Sequence, residues 1–122
     1  MMKKTLALKF TGKEMKYFDE LSKSLGMPKG FLISQASKWL EIQLNNNNPY
    51  DLDLFDDSDK YTNPLMIRNI VIDESVQDIL KQQAKKIGIT RYQLVRALIK
   101  KVPELITMNQ FYSISINDLK YK

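Results

Sequence analysis

The chain contains no cysteine and no histidine among its 122 residues, which restricts the chemistry open to it. Without thiols there are no disulfides, cysteine nucleophiles or thiolate-bound zinc. Without imidazole the commonest general base and metal ligand is missing. The four glycines form no glycine-rich phosphate loop. Carboxylates, lysines and hydroxyls remain, but no pair of them has a spacing that suggests a reaction. We therefore expect a binding protein and not an enzyme, with no cofactor and no metal.

The basic side chains that could bind an anion are distributed unevenly. Residues 1–42 carry eight basic and four acidic side chains, and residues 65–102 carry eight basic and three acidic ones. Between them, residues 43–64 carry five aspartates and one lysine. A polyanionic partner would favour this separation. The alternative is that the lysines serve only solubility.

The two basic segments share one pattern of residues at an offset of 62. When Gly26 is aligned with Gly88, apolar positions coincide along both segments, as for Leu8 with Ile70, Phe10 with Ile72 and Leu32 with Leu94. This agreement predicts an internal duplication. A unit of roughly 40 residues without disulfides or metal usually buries too little apolar surface to fold alone. We therefore expect each copy to complete the core of the other.

Each copy is predicted to form a strand followed by two helices. Leu6, Leu8 and Phe10 alternate with polar or small residues, as in a strand with one buried face. Thr11 suits a helix N-cap, and Gly26 suits the left-handed residue that ends a helix. A second helix is predicted to follow each glycine turn.

The second copy repeats these signals with other residues. Asp73 is the expected cap of its first helix, Gly88 its end and Thr90 the cap of the next helix. The last helix is expected to stop near Pro103, because proline lacks the N–H that a helix interior needs. Gln83 interrupts the apolar stripe where the first copy has Leu21.

The segments LALKFTGKEMKYFDELSKSLGMPKGFLISQA and IVIDESVQDILKQQAKKIGITRYQLVRALI together resemble the ribbon-helix-helix family, the Arc/MetJ type of DNA-binding protein. The resemblance implies a mainly α fold with a short two-stranded antiparallel ribbon, built from β-α-α twice. Residues 5–10 would then pair with residues 67–72 inside one chain, forming an intramolecular pseudo-dimer as in conjugation accessory proteins of the TraY type. A domain-swapped dimer is the alternative.

The expected organisation has four parts. The first ribbon-helix-helix repeat covers residues 1–44, an acidic linker 45–64, the second repeat 65–103 and a carboxyl-terminal tail 104–122.

The same resemblance implies sequence-specific binding of double-stranded DNA, with the ribbon in the major groove. The outer strand positions are then the residues that contact bases: Thr5, Ala7, Lys9, Ile67, Asn69 and Val71. The start of each second helix, together with one strand residue, is expected to contact phosphate through Lys29, Gly30, Arg91, Tyr92 and Arg68. Helix N-termini attract anions through their unpaired N–H groups and their dipole.

The expected role is that of a transcriptional regulator, namely a repressor. The first alternative is an accessory protein that marks a plasmid transfer origin or a partition site. The alternative from another class is a protein-interaction module such as an antitoxin or adaptor, whose apolar ribbon is covered by protein. Pseudo-dimers could also associate on adjacent DNA sites. A cytoplasmic protein without membrane partners is expected, because Lys9 interrupts the stretch that mimics an export signal.

Two further segments contain apolar residues whose role the sequence leaves open. The linker is either a solvated loop or an anchor that docks through Tyr50, Leu52, Leu54 and Phe55. The tail alternates apolar residues at Tyr112, Ile114 and Ile116 as in a strand, and could cover the core, join neighbouring molecules or meet a protein partner.

Overall fold

The computed structural model describes residues 3–52 and 64–107, which form four helices and one two-stranded antiparallel sheet. In chain order the elements are β1 (Lys3–Phe10), α1 (Gly12–Leu25), α2 (Lys29–Asn45), β2 (Met66–Asp73), α3 (Glu74–Ile87) and α4 (Arg91–Thr107). The expected mainly helical fold with a short antiparallel ribbon is therefore confirmed. Among these residues, none of the helices combines the length and apolar character needed to cross a bilayer.

The two strands pair with each other inside the single chain, and their alternation of residues decides which face is buried. Ala7 lies opposite Asn69 in the antiparallel register. The inward side chains are almost completely buried: Leu6, Leu8, Phe10, Ile70 and Ile72. This is the face that the period-two pattern predicts to face the core.

The first helix begins and ends at the residues that the sequence predicts. The Thr11 hydroxyl accepts a hydrogen bond from the Glu14 N–H at 3.2 Å, and the Glu14 carboxylate accepts one from the Thr11 N–H at 2.8 Å. This reciprocal pair satisfies two N–H groups at the start of the helix. Gly26 follows the helix with a φ of 65°, in the left-handed region.

The third helix departs from the expectation at its start. Asp73 occupies the N-cap position but makes no side-chain capping hydrogen bond, and its Oδ1 is buried without a hydrogen-bond partner. The predicted cap position is therefore confirmed, although the side chain forms no capping hydrogen bond. Gln77 instead ties the helix to the ribbon, because its Nε2 donates to the carbonyl oxygens of Lys4 at 3.0 Å and Ile72 at 3.1 Å.

The last helix continues past Pro103 as far as Thr107, the last residue that the structure describes, so the expected stop is wrong. A proline inside a helix removes one backbone hydrogen bond and costs about 3 kcal/mol. The turn after it buries Leu105 completely, which contributes about 1.5–3 kcal/mol for a side chain of this size. Core burial thus offsets much of the local penalty.

One hydrophobic core lies between the inner face of the ribbon and the helices. Helix α2 packs against α4, and each of these two helices also contacts the strand from the other half of the chain, α2 with β2 and α4 with β1. The central positions of both helices are fully buried: Leu32, Ile33, Ala36, Leu40, Leu94, Val95, Leu98 and Val102. The core is therefore shared between the two halves.

The helices of the two halves have matching lengths and positions. Helices α1 and α3 both have 14 residues, and α2 and α4 both have 17. Each helix of the second half begins 62 residues after its counterpart, at position 74 instead of 12 and at 91 instead of 29.

The linker is described only at its two ends. Leu52 packs against the core, whereas Tyr50 remains exposed. The other two residues of the expected anchor, Leu54 and Phe55, lie outside the described residues, as does the expected strand of the tail.

Candidate nucleic-acid interface

The outer face of the ribbon brings together all six residues predicted to contact bases. They form three directly opposed pairs: Thr5 with Val71, Ala7 with Asn69, and Lys9 with Ile67. All six residues are exposed. The antiparallel register, which joins residues more than 55 positions apart, turns two separate sequence patterns into one surface.

This outer face combines hydrogen-bonding groups with exposed aliphatic side chains. Lys9 offers an ammonium donor, and Asn69 offers an amide that can donate and accept. Ile67 is 62% exposed and Val71 is 57% exposed. Such a surface can both hydrogen-bond a base edge and contact a thymine methyl group. Equally, exposed aliphatic residues of this size can mark a protein contact.

Lys9 is held by an aromatic ring from the other half of the chain. Its Nζ lies 5.3 Å from the centroid of the Tyr92 ring, in the first turn of α4. A cation at this distance over an aromatic face gains about 0.5–1 kcal/mol at an exposed site. Tyr92, predicted to contact phosphate, therefore lies beside a predicted base-contacting residue and restricts its position.

Arg68 lies on the exposed part of β2, although its place in the alternation assigns it to the inner face. Its Nη1 donates to the Ile67 carbonyl oxygen at 3.3 Å. The guanidinium thus remains at the ribbon, where a phosphate of a bound duplex would have access to it.

The start of α2 lies directly against β2. A Cβ atom on Gly30 would lie 2.1 Å from the carbonyl oxygen of Val71, so only glycine permits this approach. The adjacent Lys29 forms an ion pair with Asp19 at 2.5 Å, with side-chain exposures of 31% and 54%. The predicted phosphate-contacting lysine therefore already has an anionic partner within the protein.

The start of α4 has a different electrostatic environment. Arg91 lines an open cleft of about 470 Å³ with Lys81 and Lys85, above Ala84 and Ile89. Three basic side chains at the positive end of a helix favour an anion there. The two helix starts predicted to bind phosphate are thus unequal, since an acid pairs with Lys29 at the α2 start whereas three basic residues gather around one cleft at the α4 start.

The sequence prediction missed Asp19, Lys81 and Lys85 as members of these two surfaces. The alignment of the two basic segments contains the signal, because position 19 aligns with position 81 and an acid is exchanged for a base. Only the packing of the first helix against the start of the second makes that exchange relevant to an anion.

Comparison of the chain with protein-family models, with curated proteins and with solved structures finds no match.

Proposed function

We propose that the protein is a tandem ribbon-helix-helix protein that binds double-stranded DNA in a sequence-specific manner, without catalysis. The observation that carries this proposal is the outer ribbon face, where six exposed residues lie in three opposed pairs. A two-stranded ribbon fits the major groove, in which each base pair presents a distinct pattern of donors and acceptors.

The matching helix positions support a tandem architecture. Under an offset of 62, Ala7 corresponds to Asn69, and these two residues also pair with each other. The same offset relates the two neighbouring pairs, because Thr5 corresponds to Ile67 and Lys9 to Val71. The pair of Thr5 with Val71 is thus the equivalent of the pair of Lys9 with Ile67. An approximate two-fold axis through the Ala7–Asn69 pair accounts for the register, as in a dimer whose two chains have been joined.

The chemistry of the outer face suggests how sequence is read. Lys9 can donate to guanine O6 or N7, and Asn69 can form two hydrogen bonds with adenine. Ala7, Ile67 and Val71 can contact thymine methyl groups. Because the two strands present different side chains, the preferred DNA site is not a palindrome.

The basic residues around the ribbon would hold the phosphate backbone. Arg91, with Lys81 and Lys85 beside it, is the stronger of the two helix-start contacts. Lys29 contributes less, because binding a phosphate requires it to leave Asp19. Contacts of this kind position a protein on DNA without reading its sequence.

A transcriptional repressor is the role that this mode of binding serves most directly, since occupancy of a major-groove site can exclude other proteins. An accessory protein at a plasmid transfer origin or a partition site would use the same surface. The exposed aliphatic residues Ile67 and Val71, with Met66 37% exposed beside them, support a second candidate in which the ribbon binds a protein, as in an antitoxin or adaptor.

Selection of bound duplexes from a random library, followed by gel shifts at low and moderate salt, tests the proposal. We expect a preferred sequence whose affinity falls steeply with salt. Lys9→Ala and Asn69→Ala should each alter the preference at particular base pairs, at a cost of about 1–3 kcal/mol per lost bidentate contact.

Lys100→Ala is the matched control, since Lys100 is exposed on α4 and lies roughly 14 Å along the helix from Arg91. It should leave the preferred sequence unchanged. Absence of binding to any duplex at low salt would refute DNA binding and favour the protein-interaction candidate. An unchanged preference in both ribbon variants would refute the base-reading assignment alone.

A further inference from the structure

Three of the contacts that join the two halves of the chain connect a helix of one half with a helix of the other. They connect α1 with α4, α3 with α2, and α2 with α4. Their arrangement affects whether a half of the chain can pair with a second copy of itself. This inference rests on the equivalence of the two halves proposed above, but not on DNA binding.

The first contact is a buried ion pair. The Arg96 Nε lies 3.0 Å from both carboxylate oxygens of Glu14, and the two side chains are only 2% and 16% exposed. Glu14 also closes the capping box with Thr11, so its carboxylate is held in place from its own helix. Removing Arg96 from this pair leaves the largely buried Glu14 carboxylate without its compensating positive charge.

The second contact is a buried hydrogen-bonded pair. The Ser37 hydroxyl donates to Gln83 Oε1 at 3.0 Å, and Gln83 Nε2 donates to the Ser37 carbonyl oxygen at 2.9 Å. Gln83 Nε2 also lies 3.3 Å from the Glu41 carboxylate. The residue that interrupts the apolar stripe of its helix is therefore fully buried and hydrogen-bonded to the other half.

The third contact is a cation above a ring. Lys101 Nζ lies 5.3 Å from the centroid of the Trp39 ring, and the lysine side chain is only 13% exposed. The same Nζ also forms an ion pair with Glu104 of its own helix at 2.5 Å. These two positions are themselves 62 residues apart, so they are equivalent positions of the two halves and face each other near the approximate axis.

The equivalent of each of the first two contacts in the other half has a different chemistry. Glu14 and Arg96 correspond to Val76 and Ser34. Gln83 and Ser37 correspond to Leu21 and Ile99.

Pairing of two carboxyl-terminal halves would therefore mismatch all three contacts. Arg96 would face Val76, Gln83 would face Ile99, and Lys101 would face a second Lys101. Pairing of two amino-terminal halves would likewise leave Glu14 without its arginine. Buried polar groups without partners and like charges at short range destabilise an interface.

From these contacts we infer that the chain encodes the choice of partner for each half: the amino-terminal half accepts a carboxyl-terminal half and rejects a second copy of itself. The surfaces that meet in the core act as a recognition interface whose partner is the complementary half. This preference is separate from the effect of the connecting segment, which raises the local concentration of one half near the other.

A cleaved chain can separate the preference from the connection. A protease site is placed between positions 53 and 63, and the folded chain is cut so that both pieces remain in the sample. Ala7→Cys introduces the sole thiol. Ala7 pairs with Asn69, which is its own equivalent in the other half. If two amino-terminal pieces paired in the same register, position 7 of one piece would therefore lie opposite position 7 of the other. The two introduced thiols could then form a disulfide. Thr5→Cys is the matched control, since its thiol would face position 9 and not a second thiol.

After incubation and oxidation, we expect fewer than about one in ten amino-terminal pieces in disulfide-linked pairs, because an uncompensated buried charge suppresses like pairing by more than tenfold. A second variant removes the three contacts that distinguish the two halves, so that like and unlike halves should pair equally well. It carries the following substitutions: Glu14→Val, Arg96→Ser, Ser37→Ile, Gln83→Leu and Lys101→Met. In that variant about half of the pieces should be linked, as mass action requires when all pairings are equally stable. Equal linkage in both backgrounds would overturn the inference.

A double-mutant cycle on the intact chain tests the same preference without cleavage. Trp39→Lys should lower the urea midpoint because it places two ammonium groups together, and Lys101→Trp should lower it because it removes the cation above the ring and the ion pair with Glu104. The double substitution exchanges the ring and the cation between the halves and should restore the part of the midpoint that the cation–ring contact contributes. If the double variant loses as much as the two single losses combined, the inference is wrong. Neither experiment contains DNA, so this result is independent of whether the ribbon binds a duplex.

Discussion

Replacement of Gly30 by alanine should destabilise the fold although it adds only one methyl group. The added Cβ would lie 2.1 Å from the Val71 carbonyl oxygen and 3.2 Å from its carbonyl carbon. Both neighbours are backbone atoms of β2, so neither can rotate away as a flexible side chain could. The start of α2 and the ribbon must therefore separate.

The size of the effect follows from the distance that must be regained. Ordinary van der Waals contact begins near 3.4 Å, so the helix must retreat by roughly 1 Å from a packed strand. Overpacking of this kind costs typically about 1–3 kcal/mol, occasionally more. Alanine regains about 0.5–1 kcal/mol through its lower backbone entropy. We expect a net loss of about 2 kcal/mol in the free energy of unfolding, near the upper end of the overpacking range less this gain.

Urea denaturation followed by far-ultraviolet circular dichroism measures this loss. With a slope of about 2 kcal/mol per molar urea, the midpoint should fall by about 1 M. Gly12→Ala is the matched control, because its added Cβ would meet only the Met66 Cε, at 3.5 Å. That variant should be as stable as the natural chain or slightly more stable. A Gly30→Ala midpoint equal to that of Gly12→Ala would refute the close approach of α2 to β2.

Three further predictions concern charge and position. Arg91→Ala should weaken binding to all duplexes, and should reduce the dependence of affinity on salt concentration, more than Lys29→Ala does, because Lys29 is already paired with Asp19. Gel shifts across a salt series measure both effects. Equal losses of affinity in the two variants would contradict this prediction. Tyr92→Leu should relax the sequence preference in the same way as Lys9→Ala, whereas Tyr92→Phe should retain it, because the ring restricts Lys9. Burial raises the pKa of Tyr17 above its ordinary value, so the folded state favours the neutral phenol. The stability that this preference contributes is complete below the pKa that Tyr17 has in the unfolded chain. It is lost as the pH rises through the pKa that Tyr17 has in the folded protein. Tyr17→Phe should therefore reduce the loss of stability in alkaline urea titrations, and an unchanged pH profile would contradict this assignment.

Local signals in the sequence were sufficient for most of the elements. The alternation around Leu8 and the cap at Thr11 specify where the first strand ends and the first helix begins, because both depend on neighbouring residues only. The left-handed conformations at Gly26 and Gly88 follow from the absence of a Cβ atom. The buried faces of the second helices were likewise predictable from the spacing of apolar residues.

The same local signals failed where distant residues decide the outcome. Pro103 ordinarily ends a helix, but the burial of Leu105 in the core holds one more turn. Asp73 has the right type and position for a cap, yet its side chain makes no such bond. Gln83 interrupts an apolar stripe, and the reason is a hydrogen-bonded partner 46 positions away.

Composition, charge and residue spacing thus determined by themselves that the chain forms strands and helices, that it carries basic charge on both halves, and which apolar strand residues face the core. Tertiary structure alone decided that Asp19 pairs with Lys29, that Gly30 must lie against Val71, and that Glu14 meets Arg96. The physical reason is the distance along the sequence between the residues that interact. Backbone conformation and amphipathic faces arise from residues a few positions apart, whereas the environment of a charge or a buried amide depends on which distant surfaces are packed together.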